Sequence, residues 1–230
     1  MKMRCLLHMV VALCLVSAAW SAENATKAQG RVKSAGTILQ EIQAAPDQRI
    51  PEKVLASAAC VAILPSMLDG GFVLGLRYGR GVATCRTTKG WSAPAFLVVR
   101  GGSFGAQFGG EAVDVIMLIM NDKGMTELLS SNFKVGVQAS VAAGPVGRQT
   151  GAETDWKMHA EVLSYSRSRG VFAGATLEHA TIKQDKDSTR AFYGRMVPFK
   201  TSLRGVINAP VTTYPFLNPL ATWARAAADK

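Results

Sequence analysis

The spacing of apolar positions changes twice between residues 26 and 200. From residue 26 to residue 42, Val32, Ala35, Ile38, Leu39 and Ile42 recur at helical intervals, with Lys27, Arg31 and Lys33 on or near the other side. That spacing predicts a basic amphipathic helix. Pro46 and Asp47 break it, and Pro51 with Glu52 opens a second helix reaching about Ala59, proline being suited to a first turn whose N–H groups have no helical partner. After Pro65 the pattern shortens to apolar segments punctuated by glycine, at 72–77, 81–86, 95–100, 104–108 and 113–120. These predict an antiparallel meander. The clearest alternation runs from Phe133 to Ala143, with Phe133, Val135, Val137, Ala139 and Val141 on one side, as in a half-buried strand. Residues 122–131 predict a short helix, 162–167 and 171–178 a hairpin turning at 168–170, and 187–193 a helix stopped by Gly194. Beyond Lys200, prolines 210, 215 and 219 predict an extended tail ending in a short alanine-rich helix, so the domain is expected to occupy 22–200 and the tail 201–230.

Aromatic residues flanked by glycine recur in the strand segments, at Gly71-Phe72, Phe104-Gly105, Phe108-Gly109 and Phe172-Ala173-Gly174. Glycine at this density lets strands bend and approach closely. The expected fold class is therefore α+β, with N-terminal helices packed on a curved antiparallel sheet or a barrel-like β-structure.

The first residues point to a compartment. Lys2 and Arg4 precede an apolar stretch from Leu6 to Val16, and small residues then offer cleavage after Ala19 or Ser21. The stretch is too short to span a bilayer and matches a cleaved secretory signal over 1–21. Cys14 follows Leu13 inside the apolar run, unlike an acylated lipoprotein cysteine. The expectation is an exported, periplasmic protein, placed peripherally on an envelope membrane. Cys60 and Cys85 are then the two thiols of the mature chain, and an oxidising compartment favours a disulfide between them. With His159 and His179 they show no metal-ligand spacing, and no metal or cofactor is expected.

The net charge is +10, of which the leader carries two charges. The surplus favours an anionic partner: phospholipid headgroups, lipopolysaccharide or acidic glycans in an envelope. Nucleic acid is disfavoured by compartment and by the lack of a recognition-helix or aromatic RNA-binding pattern.

One catalytic pattern needs weighing. Gly101-Gly102-Ser103-Phe104-Gly105 fits the G-x-S-x-G nucleophile elbow, and Asp155 with His159 or His179 supplies the acid and base in order. A helix should follow Ser103; the chain instead gives Gly105, Gly109, Gly110 and an apolar strand. Residues 144–151 lack the Gly-Lys-Ser/Thr ending of a phosphate-binding loop. No enzyme is expected.

Several long segments in order carry a family resemblance. They are Cys60 with the Ala62-Ile63-Leu64-Pro65 strand end; GGFVLGLRYGRGVATCR over 70–86; RGGSFGAQFGGEAVDVIMLIMN over 100–121; EVLSYSRSRGVFAGATLE over 161–178; and Phe192-Tyr193-Gly194. The chain resembles the SYLF domain family, in an exported bacterial branch. The resemblance implies a non-catalytic module that binds lipid through an amphipathic N-terminal helix and basic residues. Fungal members also bind actin, a partner not expected in an envelope. The residues allow the same mechanism independently, the lipid-binding candidates being Lys27, Arg31 and Lys33 on the helix and Arg77, Arg80 and Arg100 on nearby strand ends. The helix has two open roles: laying its apolar face into the headgroup boundary, or covering its own domain's core. A protein partner in the envelope, without lipid, is the alternative.

Overall fold

The computed structural model describes residues 2–45, 47–71, 74–104, 110–130, 132–146, 160–168, 171–174 and 180–228. Two helices, α1 (Lys2–Ala44) and α2 (Glu52–Ser57), precede the strands. The strands are β1 (Cys60–Gly71), β2 (Leu74–Thr87), β3 (Gly90–Trp91), β4 (Ala95–Phe104) and β5 (Gly110–Ile119). Helix α3 (Asp122–Leu129) leads to β6 (Asn132–Lys134), β7 (Val141–Ala143), β8 (Val162–Ser168), β9 (Val171–Gly174) and β10 (Ala180–Gln184). The chain continues through α4 (Lys186–Tyr193), α5 (Phe199–Leu203), a 3-10 turn (Val211–Thr213) and α6 (Tyr214–Ala228).

The sheet follows the order β6-β10-β4-β2-β1-β5-β8-β7, with β3 on β2 and β9 on β8. Its neighbours are antiparallel except β7 and β8, which run parallel and make the sheet mixed. The expected α+β class is what the structure shows: helices over a curled, half-barrel sheet.

Both faces of the sheet are buried over its middle. On the inner face, Cys60, Ala62, Leu64, Ala83, Leu97, Val115, Met117 and Phe133 form a core joined by Leu128 of α3 and by Phe199 and Leu203 of α5. On the outer face, Val61, Ile63, Val82, Phe96, Ile116 and Tyr165 pack under Val32, Leu39 and Ile42 of α1, Val54 and Leu55 of α2, and Phe216 and Leu220 of α6. This two-sided burial explains why 113–120 reads as a nearly unbroken apolar run rather than an alternation. The disulfide joins Cys60 to Cys85, register partners on β1 and β2 with Cα atoms 3.9 Å apart.

Several sequence expectations need correction. The described part of segment 72–77, from Leu74, and segment 81–86 belong to one strand: Gly79 and Gly81 are close-approach positions rather than a break, a Cβ at Gly81 falling 2.2 Å from the Ile63 carbonyl oxygen, and 72–73 lie outside the described residues. Residues 95–104 are likewise continuous, and 105–109 lie outside the described residues. The run 133–143 is not one strand. Gly136, at φ 78°, and three turn bonds among 134–139 divert it from β6 at one edge of the sheet to β7 at the other, leaving Val137 exposed. Its alternation is real, since Phe133, Val135 and Ala139 all join the inner core, yet alternation says nothing about which strand is the neighbour. Strand β10 was missed because five residues ending in Lys183 and Gln184 give too short a period. The segment after Lys200 is no appendage: Phe216 and Leu220 are core residues under α1, and the domain extends through α6. Helix α1 is also longer than the expected 26–42, running from Lys2 to Ala44.

The Phe192-Tyr193-Gly194 motif acquires a packing role. The Phe192 ring meets Phe96 of β4 at 5.0 Å, and the Tyr193 hydroxyl donates to the Pro94 carbonyl at 2.6 Å. Gly194 ends α4 in the left-handed conformation. Arg86 serves α2 in the same way, donating to the Ala58 and Leu55 carbonyls at 2.9 and 3.2 Å while stacking 4.6 Å from Trp91.

Helices α1 and α6 cross at Gly36, where an added Cβ would lie 2.1 Å from the Pro215 carbonyl oxygen. Gly36→Ala is expected to lower stability by about 1–3 kcal/mol, the range for overpacking. An unchanged thermal melt would show that the crossing is not this close.

Glu161 gives a pH signature. Its carboxylate accepts from the Ser140 hydroxyl, from the Ser140 N–H at 2.6 Å and from Lys123 Nζ at 2.9 Å, and these bonds, the hydroxyl first, bring its pKa down to about 2. The unfolded value is about 4.3. The contribution is therefore fully present above that value and lost as pH falls towards 2. The stability gap between wild type and Glu161→Gln should close over that window; a gap unchanged between pH 6 and 2 would show that the charge does not matter.

Candidate functional site

The six basic candidates separate into three environments. On α1, Ala28, Val32, Ala35, Ile38, Leu39 and Ile42 are all buried, so from Ala28 to Ile42 the apolar side of the helix covers the core. Of the two open roles for this face, the core-covering one is what the structure shows. Lys27 is exposed and pairs with Glu23 at 2.6 Å. Lys33 is exposed at a cleft of about 290 Å³ shared with Glu41, Ser66, Asp114 and Arg167. In this cleft Ser66 adopts φ 51° and donates its N–H to Asp114 at 2.8 Å, while Arg167 joins Asp114 to Glu41 of α1.

Arg31 is different, because its side chain is only 13 % exposed. It donates to the Ser188 hydroxyl at 2.9 Å and lies 3.8 Å from Asp185. Asp185 is buried and caps α4, accepting from the Ser188 N–H at 3.0 Å and the Ser188 hydroxyl at 2.7 Å. Burial draws the Arg31 pKa below its ordinary value, and Asp185 opposes that drift. Arg80 of β2 reaches the same carboxylate at 3.5 Å and the Tyr78 hydroxyl at 3.0 Å. Burial works against its charge too, but the hydroxyl and Asp185 together carry its pKa above the ordinary value.

Arg77 lies on the opposite side of β2 from Arg80 and is bound to Asp69 at 2.8 Å. Arg100 is exposed on β4, with its guanidinium 5.8 Å from the Tyr78 ring. The structure thus gathers Arg31 and Arg80 at Asp185, links Arg80 and Arg100 through Tyr78, and sets Arg77 apart. Beside Arg100 lies a hollow of about 610 Å³ lined by Leu76, Val98, Arg100, Gly101, Gly102, Thr181, Lys183 and Gln184. Leu76, Tyr78, Lys134 and Lys183 were not singled out from sequence. The alternation Leu76, Tyr78, Arg80 was visible, but only the cross-strand register shows what stands beside it.

The elbow pattern at Ser103, set aside from the sequence, lacks the required geometry in the structure too. Ser103 lies within strand β4, opposite Gly75 of the antiparallel neighbour β2, whereas an elbow needs a strand-to-helix turn on a parallel sheet. Asp155, His159 and His179 lie outside the described residues.

Asp185→Ala removes a helix cap and the common partner of Arg31 and Arg80. The expected loss is about 3 kcal/mol in denaturant unfolding. A loss below about 1 kcal/mol would show that the cluster does not hold α1 to the sheet.

The family model described as "Ysc84: Las17-binding protein actin regulator" matches residues 100–223, more than half of the chain. An SH3 domain-containing YSC84-like protein 1 from Bos taurus is 32% identical over 189 residues, covering 79% of this chain and 55% of its own length. Its Homo sapiens counterpart is 33% identical over 172 residues, covering 72% of this chain and 50% of its own. Protein YSC84 of Saccharomyces cerevisiae is 32% identical over 182 residues, covering 77% and 39%. The chain thus spans about half the length, or less, of these relatives. With the family model matching across its C-terminal half and these relatives aligned over most of its length, the chain belongs to the Ysc84 family, whose domain is the SYLF domain.

Proposed function

We propose that the protein is a non-catalytic module that docks peripherally on anionic phospholipid surfaces of a cell envelope after export. The observation that carries this reading is the positive net charge that remains without the two leader cations, combined with basic side chains held at the surface: Lys27 and Lys33 on α1, Arg80 and Arg100 on the sheet. Each cation near an anionic membrane is worth about 1 kcal/mol, enough in combination for reversible attachment. Arg31 and Arg77, engaged with Asp185 and Asp69, serve the fold more than the ligand. Among the described residues no helix is long and apolar enough to cross a membrane, so attachment through the surface is the mode proposed.

The family's description as a Las17-binding actin regulator favours a second reading, a protein partner. Vesicle sedimentation separates the two. Binding is expected with vesicles containing anionic lipid, not with neutral vesicles, and is expected to weaken as salt screens charge beyond about 10 Å at 0.1 M. Lys27→Glu with Lys33→Glu should reduce it several-fold. A folded protein that binds neither vesicle type would overturn the lipid reading and favour the partner.

A further inference from the structure

The helix layer covers the outer face of the sheet over only part of its width and length. Val61, Ile63, Val82 and Phe96 lie beneath it, and further along the same strands the outward positions face solvent. Register defines what stands there. Leu68 is opposite Tyr78, Tyr78 opposite Arg100, Arg100 opposite Thr181, and Thr181 opposite Lys134. Paired residues share a face, so these five form one lateral row across β1, β2, β4, β10 and β6. The flanking rows add Leu76 opposite Gly102, and Arg80 and Val98 with Lys183.

Two properties distinguish this face. Leu68, Leu76 and Tyr78 are 56%, 76% and 38% exposed. Single exposed hydrophobics are ordinary, but a cluster with a polar rim marks a contact surface. In these three rows the charged residues are Arg80, Arg100, Lys134 and Lys183, all cations.

We propose that this face is the membrane-docking surface, seated on an anionic phospholipid bilayer. Leu68, Leu76 and Tyr78 enter the boundary between headgroups and acyl chains, where an aromatic ring with a polar tip is at home. Arg100, Lys183 and Lys134 meet the phosphates. The inference rests on the lipid reading above and changes its apolar contact, since the apolar side of α1 from Ala28 to Ile42 is committed to the core. Charge complementarity selects the occupant. The face is the outside of a curled sheet rather than an unpaired edge, so a peptide strand finds no ladder to extend there.

The test is flotation of the full chain with phosphatidylcholine vesicles with and without about 30 mol% phosphatidylglycerol. Neutralising two cations in Arg100→Gln/Lys183→Gln should weaken binding roughly thirtyfold, and Leu76→Ser about tenfold. Lys53→Gln, an exposed cation on α2, should stay near wild type. The substituted side chains are exposed, so wild-type melting is expected throughout. Wild-type binding in both test variants would overturn this surface while leaving the lipid reading intact. Failure of the wild type itself to bind would overturn both. Self-association abolished by Leu76→Ser, without vesicle binding, would make a second copy the occupant and overturn the proposal.

Discussion

Burial of the central strand β1 on both faces governs how the rest of the chain is arranged. Its residues alternate between the inner core, through Cys60, Ala62 and Leu64, and the outer core, through Val61 and Ile63. A strand buried on both sides needs a layer on each side. The inner layer is the sheet itself, curled until the segment from β6 to β7 can tie its two edges together over residues 135–140. The outer layer is α1, α2 and α6, drawn from opposite ends of the chain. The close crossing at Gly36 and Pro215 follows from that demand, because two helices covering one patch of sheet must also pack on one another.

Electrostatics fixes the helix layer in position. Asp185 caps α4 and receives Arg31 from α1 and Arg80 from β2, so one buried carboxylate joins two helices and the sheet. At the other end of the same stretch of α1, Glu41 meets Arg167, which also holds Asp114 beside the β1 irregularity. A buried pair of this kind contributes less to net stability than to specifying one arrangement. Here it adds a directional contact beside the small buried residues Ala28, Val32 and Ala35, which offer little shape to fix a helix by themselves.

Much of this was legible in the chain. The period from Val32 to Ile42 placed the helix and named its buried side correctly, and the cysteine count anticipated the Cys60–Cys85 bond. The short helices expected at 122–131 and 187–193 are present, the second ending at Gly194 as a local stop signal predicts. What failed was non-local. Glycines that make room for a neighbouring backbone look like glycines that turn a chain, as at Gly81, and alternation through Gly136 hides a change of strand partner. The candidate site suffered most from this. Arg31 and Lys33 lie two residues apart, yet one is buried against Asp185 and the other faces solvent. Leu68, Tyr78, Arg100 and Lys134 are scattered over 67 positions of sequence and become neighbours only through four successive register choices.

The composition of that row bears on what the surface is for. A face needed only for solubility is best served by interspersed charges of both signs, since like charges held together repel and oppose the compact state. The outer rows of β1, β2, β4, β10 and β6 do the reverse, setting Arg80, Arg100, Lys134 and Lys183 around Leu68, Leu76 and Tyr78. Such an arrangement carries two costs, repulsion among the cations and exposure of apolar surface to water. A single change of surroundings relieves both: contact with an anionic, partly apolar layer neutralises the cations and removes the leucines from water. Elsewhere the same chain compensates its buried charge locally, Asp185 with two arginines and Asp69 with Arg77. Arg80 already shares Asp185, so it is Arg100, Lys134 and Lys183, with the apolar side chains beside them, that such a layer would serve.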